Sequence, residues 1–236
     1  MSRPRLVVVG NGMAGIRTVE ELLALAPDLY EITVFGAEPH PNYNRILLSP
    51  VLAGEQTIDD IVTHPFDWYE RNGIRLVAGK PVTKIDRARR VAIADGIETP
   101  YDRLLLATGS DPVILPIPGA RLPGVITYRD IADTQAMIDA ARRYRRAAVI
   151  GGGLLGLEAA NGLRARGMDV TVVHVMPHLM ERQLDATAGR LLQQSLQARG
   201  LRFLLQKTTT ELVAGESGRV CALKFSDGSA LDADLV

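Results

Sequence analysis

The sequence predicts an α/β chain built as two successive strand–turn–helix domains, each with a parallel sheet and an antiparallel β ribbon. Three observations predict it. Two glycine-spaced turns, VVVGNGMAG and AVIGGGLLGLE, each follow an apolar strand-like run and open an apolar helix-like run. The order of segments after the first turn is replayed after the second. The 236 residues, 47% hydrophobic and 23% charged, suffice to bury the core of one large or two modest domains.

Taken in order, residues 5–10 read as a buried first strand, 13–25 as a helix with small and apolar residues toward the sheet, and EITVF at 31–35 as a second strand. These three make a βαβ unit. HPNYNRILLSP is too long and too specific in composition for a minimal connector. A short helix is expected at 66–72, ended by Gly73, and a third parallel strand at 74–77. The stretch PVTKIDRARRVAIADGIETPYDR, residues 81–103, alternates apolar and polar residues around charged turns, as an antiparallel ribbon does. LLLATG at 104–109 reads as a fully buried strand ending on a glycine.

DPVILPIPGARLPG, rich in proline and glycine, is the expected linker and divides the chain into domains 1–116 and 117–236. Beyond it come a polar-faced helix at 130–142, a strand at 147–151, a helix at 153–166, a strand at 169–174, a helix at 187–199 and a strand at 201–204. Residues 207–236 look like antiparallel strands again. The repeat has a register: Gly10 matches Gly151, Asp95-Gly96 matches Asp227-Gly228, and Leu104 matches Val236. Leu105 to Gly109 have no counterpart in the second copy. The chain is therefore expected to be C-terminally truncated, its last strand cut.

Charge and cysteine usage narrow the function classes. Lys+Arg and Asp+Glu both number 27, so no net field draws the chain to nucleic acid or an anionic membrane. Cys221 is the lone cysteine, which leaves no internal disulfide, no CxxC redox pair and no cysteine zinc site. A reducing cytoplasm is the expected location. The apolar run at the start breaks at Gly10, too short for a signal peptide or a membrane span. His174, His178 and Glu181 lack the HExxH order, and no metal is expected.

In a glycine turn of this kind the first glycine permits the bend, the second lets backbone approach a pyrophosphate, and the third lets helix pack on strand. Helix N–H groups then face the phosphates. Gly10, Gly12 and Gly15, with Met13 and Ala14 between them, form one such turn; Gly151, Gly153 and Gly156, with Leu154 and Leu155, form the other. Two turns imply two dinucleotides. Flavin with nicotinamide is the natural pair, since one can hand a hydride to the other.

VVVGNGMAG, YDRLLLATGSDP, AVIGGGLLGLEAA and DGSALDADLV stand in the order found in the flavoprotein pyridine nucleotide reductases, and the chain resembles that family over nearly its whole length. NYNRILLSPVLAGE, the IDR turn and VTVVHVMPHLMERQLD resemble one branch more closely, the N-terminal reductase part of NAD(P)H-dependent assimilatory nitrite reductase large subunits. The resemblance implies an FAD-binding domain over 1–116, its returning segment missing, and an NAD(P)-binding domain over 117–236. It implies that the first turn cradles FAD, that Glu38 accepts from the adenosine ribose, and that Arg45 lies near the FAD phosphates. Val82 would meet the adenine through its backbone, and Ala107, Thr108 and Gly109 would touch the flavin. The second turn would hold NAD(P)H, with Glu158 near the nicotinamide. As bare residues, Glu38 also fits a solvated loop acid, Arg45 a surface arginine, Val82 core, and Glu158 a helix-dipole partner.

Two departures from the family pattern stand out. Ferredoxin reductases carry Lys after Leu-Ser, where this chain has Pro50, so no ammonium reaches the flavin from that position. His174 stands at the end of its strand in place of the acid that selects NAD; its ring, with Arg182 or Arg166, is a candidate contact for a 2′-phosphate. NADH and NADPH both remain open. The resemblance implies hydride transfer from NAD(P)H to FAD, with electrons leaving to a downstream redox centre and with an iron–sulfur cluster and siroheme only on segments outside this chain. No catalytic side chain is assigned. A rubredoxin or ferredoxin reductase, and a non-catalytic dinucleotide sensor, are the alternatives.

Overall fold

In the computed structural model, which describes residues 3–236, the first apolar run forms strand β1 (Arg5–Val9). Helix α1 (Met13–Leu25) and a parallel strand β2 (Glu31–Phe35) follow. The run is unbroken because both faces of β1 are covered. Leu6 and Val8 share a core with Ile16 and Val19 of α1, whereas Val7 and Val9 share one with Phe35, Ala92 and Ala94. Next come β3 (Asn42–Tyr43), α2 (Leu48–Ala53), β4 (Val62–His64), α3 (Phe66–Arg71) and β5 (Arg75–Val77). The antiparallel ribbon β6 (Val82–Asp86), β7 (Val91–Ala94) and β8 (Ile97–Pro100) leads to β9 (Arg103–Leu106). The parallel sheet runs β5-β2-β1-β9.

Two expectations change here. The stretch around HPNYNRILLSP, expected as a long loop, contains a strand and the start of a helix, both too short to show a period. The strand expected at 104–109 stops at Leu106 and is not fully buried, because β9 pairs on one side only within its sheet and Leu106 is 58% exposed.

The second half opens with α4 (Ile131–Arg143) and continues with β10 (Arg146–Ile150), α5 (Leu154–Ala165), β11 (Asp169–His174), α6 (Ala186–Ala198) and β12 (Arg202–Leu205). Its parallel sheet runs β10-β11-β12. Strands β13 (Thr209–Ala214), β14 (Val220–Phe225) and β15 (Ala230–Asp232) form a second three-stranded antiparallel sheet. Leu235 then bridges Ala147 in parallel, taking beside β10 the place that β9 takes beside β1. The repeat extends to side chains. Asp102 accepts from the backbone N–H of Arg5 at 2.7 Å and from its guanidinium, and Asp234 does the same for Arg146, with the backbone contact at 3.0 Å. Lys80 pairs with Asp95 as Lys207 pairs with Asp227.

Packing groups the chain into two units, Met1–Arg45 with Asp59–Asp111, and Ile46–Ile58 with Pro112–Val236. This differs from a single cut after residue 116. The linker belongs with the second unit from Pro112 on, and so does the segment holding α2. Helix α2 buries Leu48, Val51 and Leu52, and one stripe of α5 receives it. Ser49 donates to Glu158 at 2.7 Å, and Leu52 lies where a side chain on Gly162 would collide, 2.6 Å from an added Cβ. Arg166, just past α5, donates to the carbonyls of Leu52 and Val51 at 2.7 and 3.0 Å. Positions 158, 162 and 166 lie four apart, on one helical face.

Candidate functional site

Among the described residues four helices are long enough for their N-terminal N–H groups to matter, and they fall into two kinds. Asp130 caps α4 and Asp185 caps α6, each accepting a backbone N–H at 2.8 Å. Helices α1 and α5 begin at Gly12 and Gly153, with no side-chain cap and no acidic residue in the first turn. Their free N–H groups point out of the glycine turns and suit an anion. The turns are built for it. A Cβ added to Gly15 would lie 2.5 Å from the Gly10 carbonyl, and one on Gly156 2.1 Å from the Gly151 carbonyl, so each third glycine permits contact between helix and turn. A Cβ on Gly12 or Gly153 would meet nothing within 4 Å, since both second glycines face open space. Met13 and Ala14, and likewise Leu154 and Leu155, are exposed at these helix starts. Both cradles fit a pyrophosphate.

The first unit gathers most of its expected residues at one sheet end. The Gly10 N–H donates to the Phe35 carbonyl, and Ala107 abuts the turn, its oxygen 2.1 Å from where a Gly10 Cβ would be. Gly10 has φ +118°, a conformation open to glycine. Thr108 and Gly109 follow Ala107 into exposed chain. Glu38 lies just beyond β2, accepting from the Tyr43 hydroxyl at 2.7 Å and from Arg45 at 2.5 Å. Arg45 thus balances the acid beside the turn. Val82 sits at the start of β6, opposite Ala94.

A polar network behind this turn was not foreseen. Asn11, between the two glycines, donates to the His40 carbonyl at 3.2 Å, accepts the Tyr69 hydroxyl at 2.6 Å, and takes the Asn42 side chain on its backbone oxygen at 3.0 Å. His64 continues the chain from Asn42 to Glu20. Burial pushes the Tyr69 phenol up to about 12. The only sequence signal was an asparagine at the middle position of a glycine turn, facing a loop with two more.

In the second unit His174 does something other than expected. It is buried, and its Nδ1 accepts the Gly152 N–H at 3.1 Å. The proton therefore lies on Nε2, which meets Glu181 at 3.0 Å. Both ring nitrogens serve the glycine turn and its flanking loop, so the ring is already occupied where a 2′-phosphate contact was expected. Glu181 is held below the usual carboxylate range, first by its own backbone N–H and then by His174. Arg166 is likewise engaged, by the α2 carbonyls. Backbone register adds a correction. Gly10 bonds Phe35 as Gly151 bonds Val173, so His174 corresponds to Gly36, and the counterpart of Glu38 is Met176, 39% exposed. His178 bonds the Leu184 carbonyl. Glu158, on the first turns of α5, accepts from Ser49, whose oxygen in turn accepts from Tyr128 at 3.3 Å.

Two open glycine cradles on one repeated plan define a tandem dinucleotide-fold protein. The pyridine nucleotide-disulphide oxidoreductase family matches residues 4–236, and the chain belongs to it. A nitrite reductase [NAD(P)H] of Bacillus subtilis (strain 168) is 57% identical over 237 residues, which is 100% of this chain and 29% of that protein. The nitrite reductase (NADH) large subunit of Escherichia coli (strain K12) is 37% identical, over 100% of this chain and 28% of its own. A ferredoxin reductase from Rhodopseudomonas palustris has the same fold, with a TM-score of 0.91 and 28% identity over 99% of this chain and 58% of that one. The chain spans under a third of the length of the nitrite reductases it matches. No described helix is long and apolar enough to cross a membrane.

Proposed function

We propose that the chain is the NAD(P)H-oxidising flavin reductase part of an assimilatory nitrite reductase, working in the cytoplasm. The first cradle would hold FAD and the second NAD(P)H, and the bound pair would supply hydride transfer and electron release to an acceptor. The observation that carries this reading is the pair of uncapped, unobstructed helix starts in a chain of this family. Glu38 supports the order of the two sites: an acid held by Tyr43 and Arg45 suits a ribose bearing no phosphate, whereas Met176 brings no charge to the second site. Ala107 to Gly109 offer a backbone edge beside the first turn, where small residues let a planar ring approach. Exposed Leu154 and Leu155 supply apolar surface at the second. The chain's task is to hold two rings at about 3–3.5 Å and keep water out. The resembling branch places an iron–sulfur cluster and siroheme on other segments, so nitrite itself is not reduced here. A partner electron carrier, as for a rubredoxin or ferredoxin reductase, is the second reading, favoured by the likeness to the Rhodopseudomonas enzyme.

Because added side chains at Gly12 and Gly153 enter open space, substitution there should spare the fold and remove the ligand. Gly12→Val is expected to lose FAD on gel filtration. Gly153→Val is expected to keep FAD and lose its anaerobic reduction by NAD(P)H. Loss of FAD from the Gly153 variant alone would reverse the assignment of the two sites.

A further inference from the structure

Ferredoxin reductases carry lysine after Leu-Ser, where this chain has Pro50; the structure shows what the Glu158 side chain engages instead. Oε2 of Glu158 accepts the Ser49 hydroxyl at 2.7 Å, and the Ser49 oxygen accepts the Tyr128 hydroxyl at 3.3 Å. The order of donation follows from chemistry. A carboxylate oxygen only accepts, so Ser49 must spend its single proton on Glu158 and is left with lone pairs for Tyr128. The three groups come from three places, α2, α5 and the segment ahead of α4. Tyr128 is half-buried, and burial, opposed by its bond to Ser49 and aided by the Glu158 charge, raises its phenol.

The arrangement is built rather than incidental. Three contacts four residues apart on α5 lock α2 in place: Glu158 to Ser49, Gly162 against Leu52, and Arg166 to the last carbonyls of α2. Gly54 ends α2 with φ +85°. Ser49 is therefore held toward Glu158 by a helix with contacts along its length. A flexible carboxylate beside a reaction centre samples several rotamers, and a hydrogen bond from a fixed donor selects one.

Resting on the function proposed above, with Glu158 in the place the resemblance implies for it near the nicotinamide, we propose that Ser49 and Tyr128 are positioning residues for Glu158, a chain of two hydroxyls that fixes its carboxylate on α5. Both hydroxyls act through Glu158. Their effect falls on the rate of hydride transfer and little on nucleotide affinity, because the phosphate cradle is separate from them. A hydrogen bond to a charged group is worth enough that its loss should slow the step by about tenfold.

The test uses the whole chain loaded with FAD, with NADH and NADPH as reductants. Ser49→Ala is expected to slow single-turnover flavin reduction about tenfold with nucleotide affinity changed less than about twofold, Ser49→Thr to restore it, and Tyr128→Phe to slow it by a smaller factor. A second readout needs no cofactor. In the chain without FAD, phenolate absorbance, with Tyr128→Phe as the blank, should show Tyr128 ionising at lower pH in Glu158→Gln. Unchanged reduction in Ser49→Ala, no rescue by Ser49→Thr, or an unmoved Tyr128 titration in Glu158→Gln would each overturn the proposal. If the parent chain binds both cofactors and shows no reduction, the hydride-transfer reading falls and this proposal with it; a reducible parent with an indifferent Ser49→Ala sinks the proposal alone.

Discussion

The two glycine turns share a backbone and exchange a side chain. In the first, the middle position carries Asn11 and the position after β2 is Gly36; in the second, the middle position is Gly152 and the matching position carries His174. Space explains the exchange. A Cβ on Gly36 would lie 3.0 Å from that of Asn11, and a Cβ on Gly152 would lie 2.8 Å from the His174 ring and from Leu179. One side chain fits between strand end and turn. In each copy it serves the turn, Asn11 by reaching out to the His40 carbonyl and Tyr69, His174 by reaching in to the Gly152 N–H. Equivalent backbone sites therefore need not carry equivalent residues, and the pair has to be read together.

The sharpest way to break this comparison is to fill both positions at once. Gly152→Ala should cost about 1–3 kcal/mol by overpacking and weaken nucleotide binding, measured by thermal unfolding and nucleotide titration. Adding His174→Ala should recover part of the loss, with a coupling of about 0.5–3 kcal/mol. Strict additivity would mean the two positions do not compete for the same volume. Next in size are the single deletions. His174→Ala leaves the Gly152 N–H unpartnered, at about 1–3 kcal/mol, and should weaken NADH and NADPH in parallel. A loss confined to NADPH would instead return the ring to the 2′-phosphate. Asn11→Ala should loosen FAD while sparing the second site, and equal effects on both ligands would contradict the independence of the two turns.

The smallest effect concerns the matched ion pairs at the opposite ends of β1 and β10. Bonds from the Arg5 side chain and backbone hold Asp102 at about 2, and those of Arg146 hold Asp234 below its usual range. A carboxyl with a lowered pKa stabilises the fold above its unfolded value, and that contribution disappears as pH falls through the folded one. Stability should therefore fall between about pH 4 and pH 2, less steeply in Asp102→Asn. Both carboxyls lie near the surface, so the difference is expected to be small and to shrink with salt. Equal acid sensitivity in parent and variant would show that the pair contributes nothing measurable.

Local patterns made much of this architecture readable. The glycine turns and the ribbon at 81–103 are each written within a short window, the register linking Asp95 with Asp227 follows from laying two such windows side by side, and that register is matched by the Lys80 and Lys207 ion pairs. What escaped notice depends on distant partners. Helix α2 has six residues and an apolar face whose partner begins at Glu158, so no window of sequence contains both. His174 reads as a ligand because its type is unusual for its place; its use follows from the missing side chain at Gly152, a position outside the three spaced glycines of the turn. Asn11 stands at a variable letter of the motif, though three of its polar atoms are engaged.

Ser49 and Glu158 lie 109 residues apart in the chain. At about 5–20 residues per second, α2 leaves the ribosome roughly 5–20 seconds before the helix it packs on. Six residues are too few to hold a helix alone, so until α4 and then α5 emerge Leu48, Val51 and Leu52 lack the helices they pack against. The first unit must fold around an apolar loop that it does not itself use. Nascent chains stalled before α5 should bind a chaperone through this segment, and release it once Arg166 has emerged.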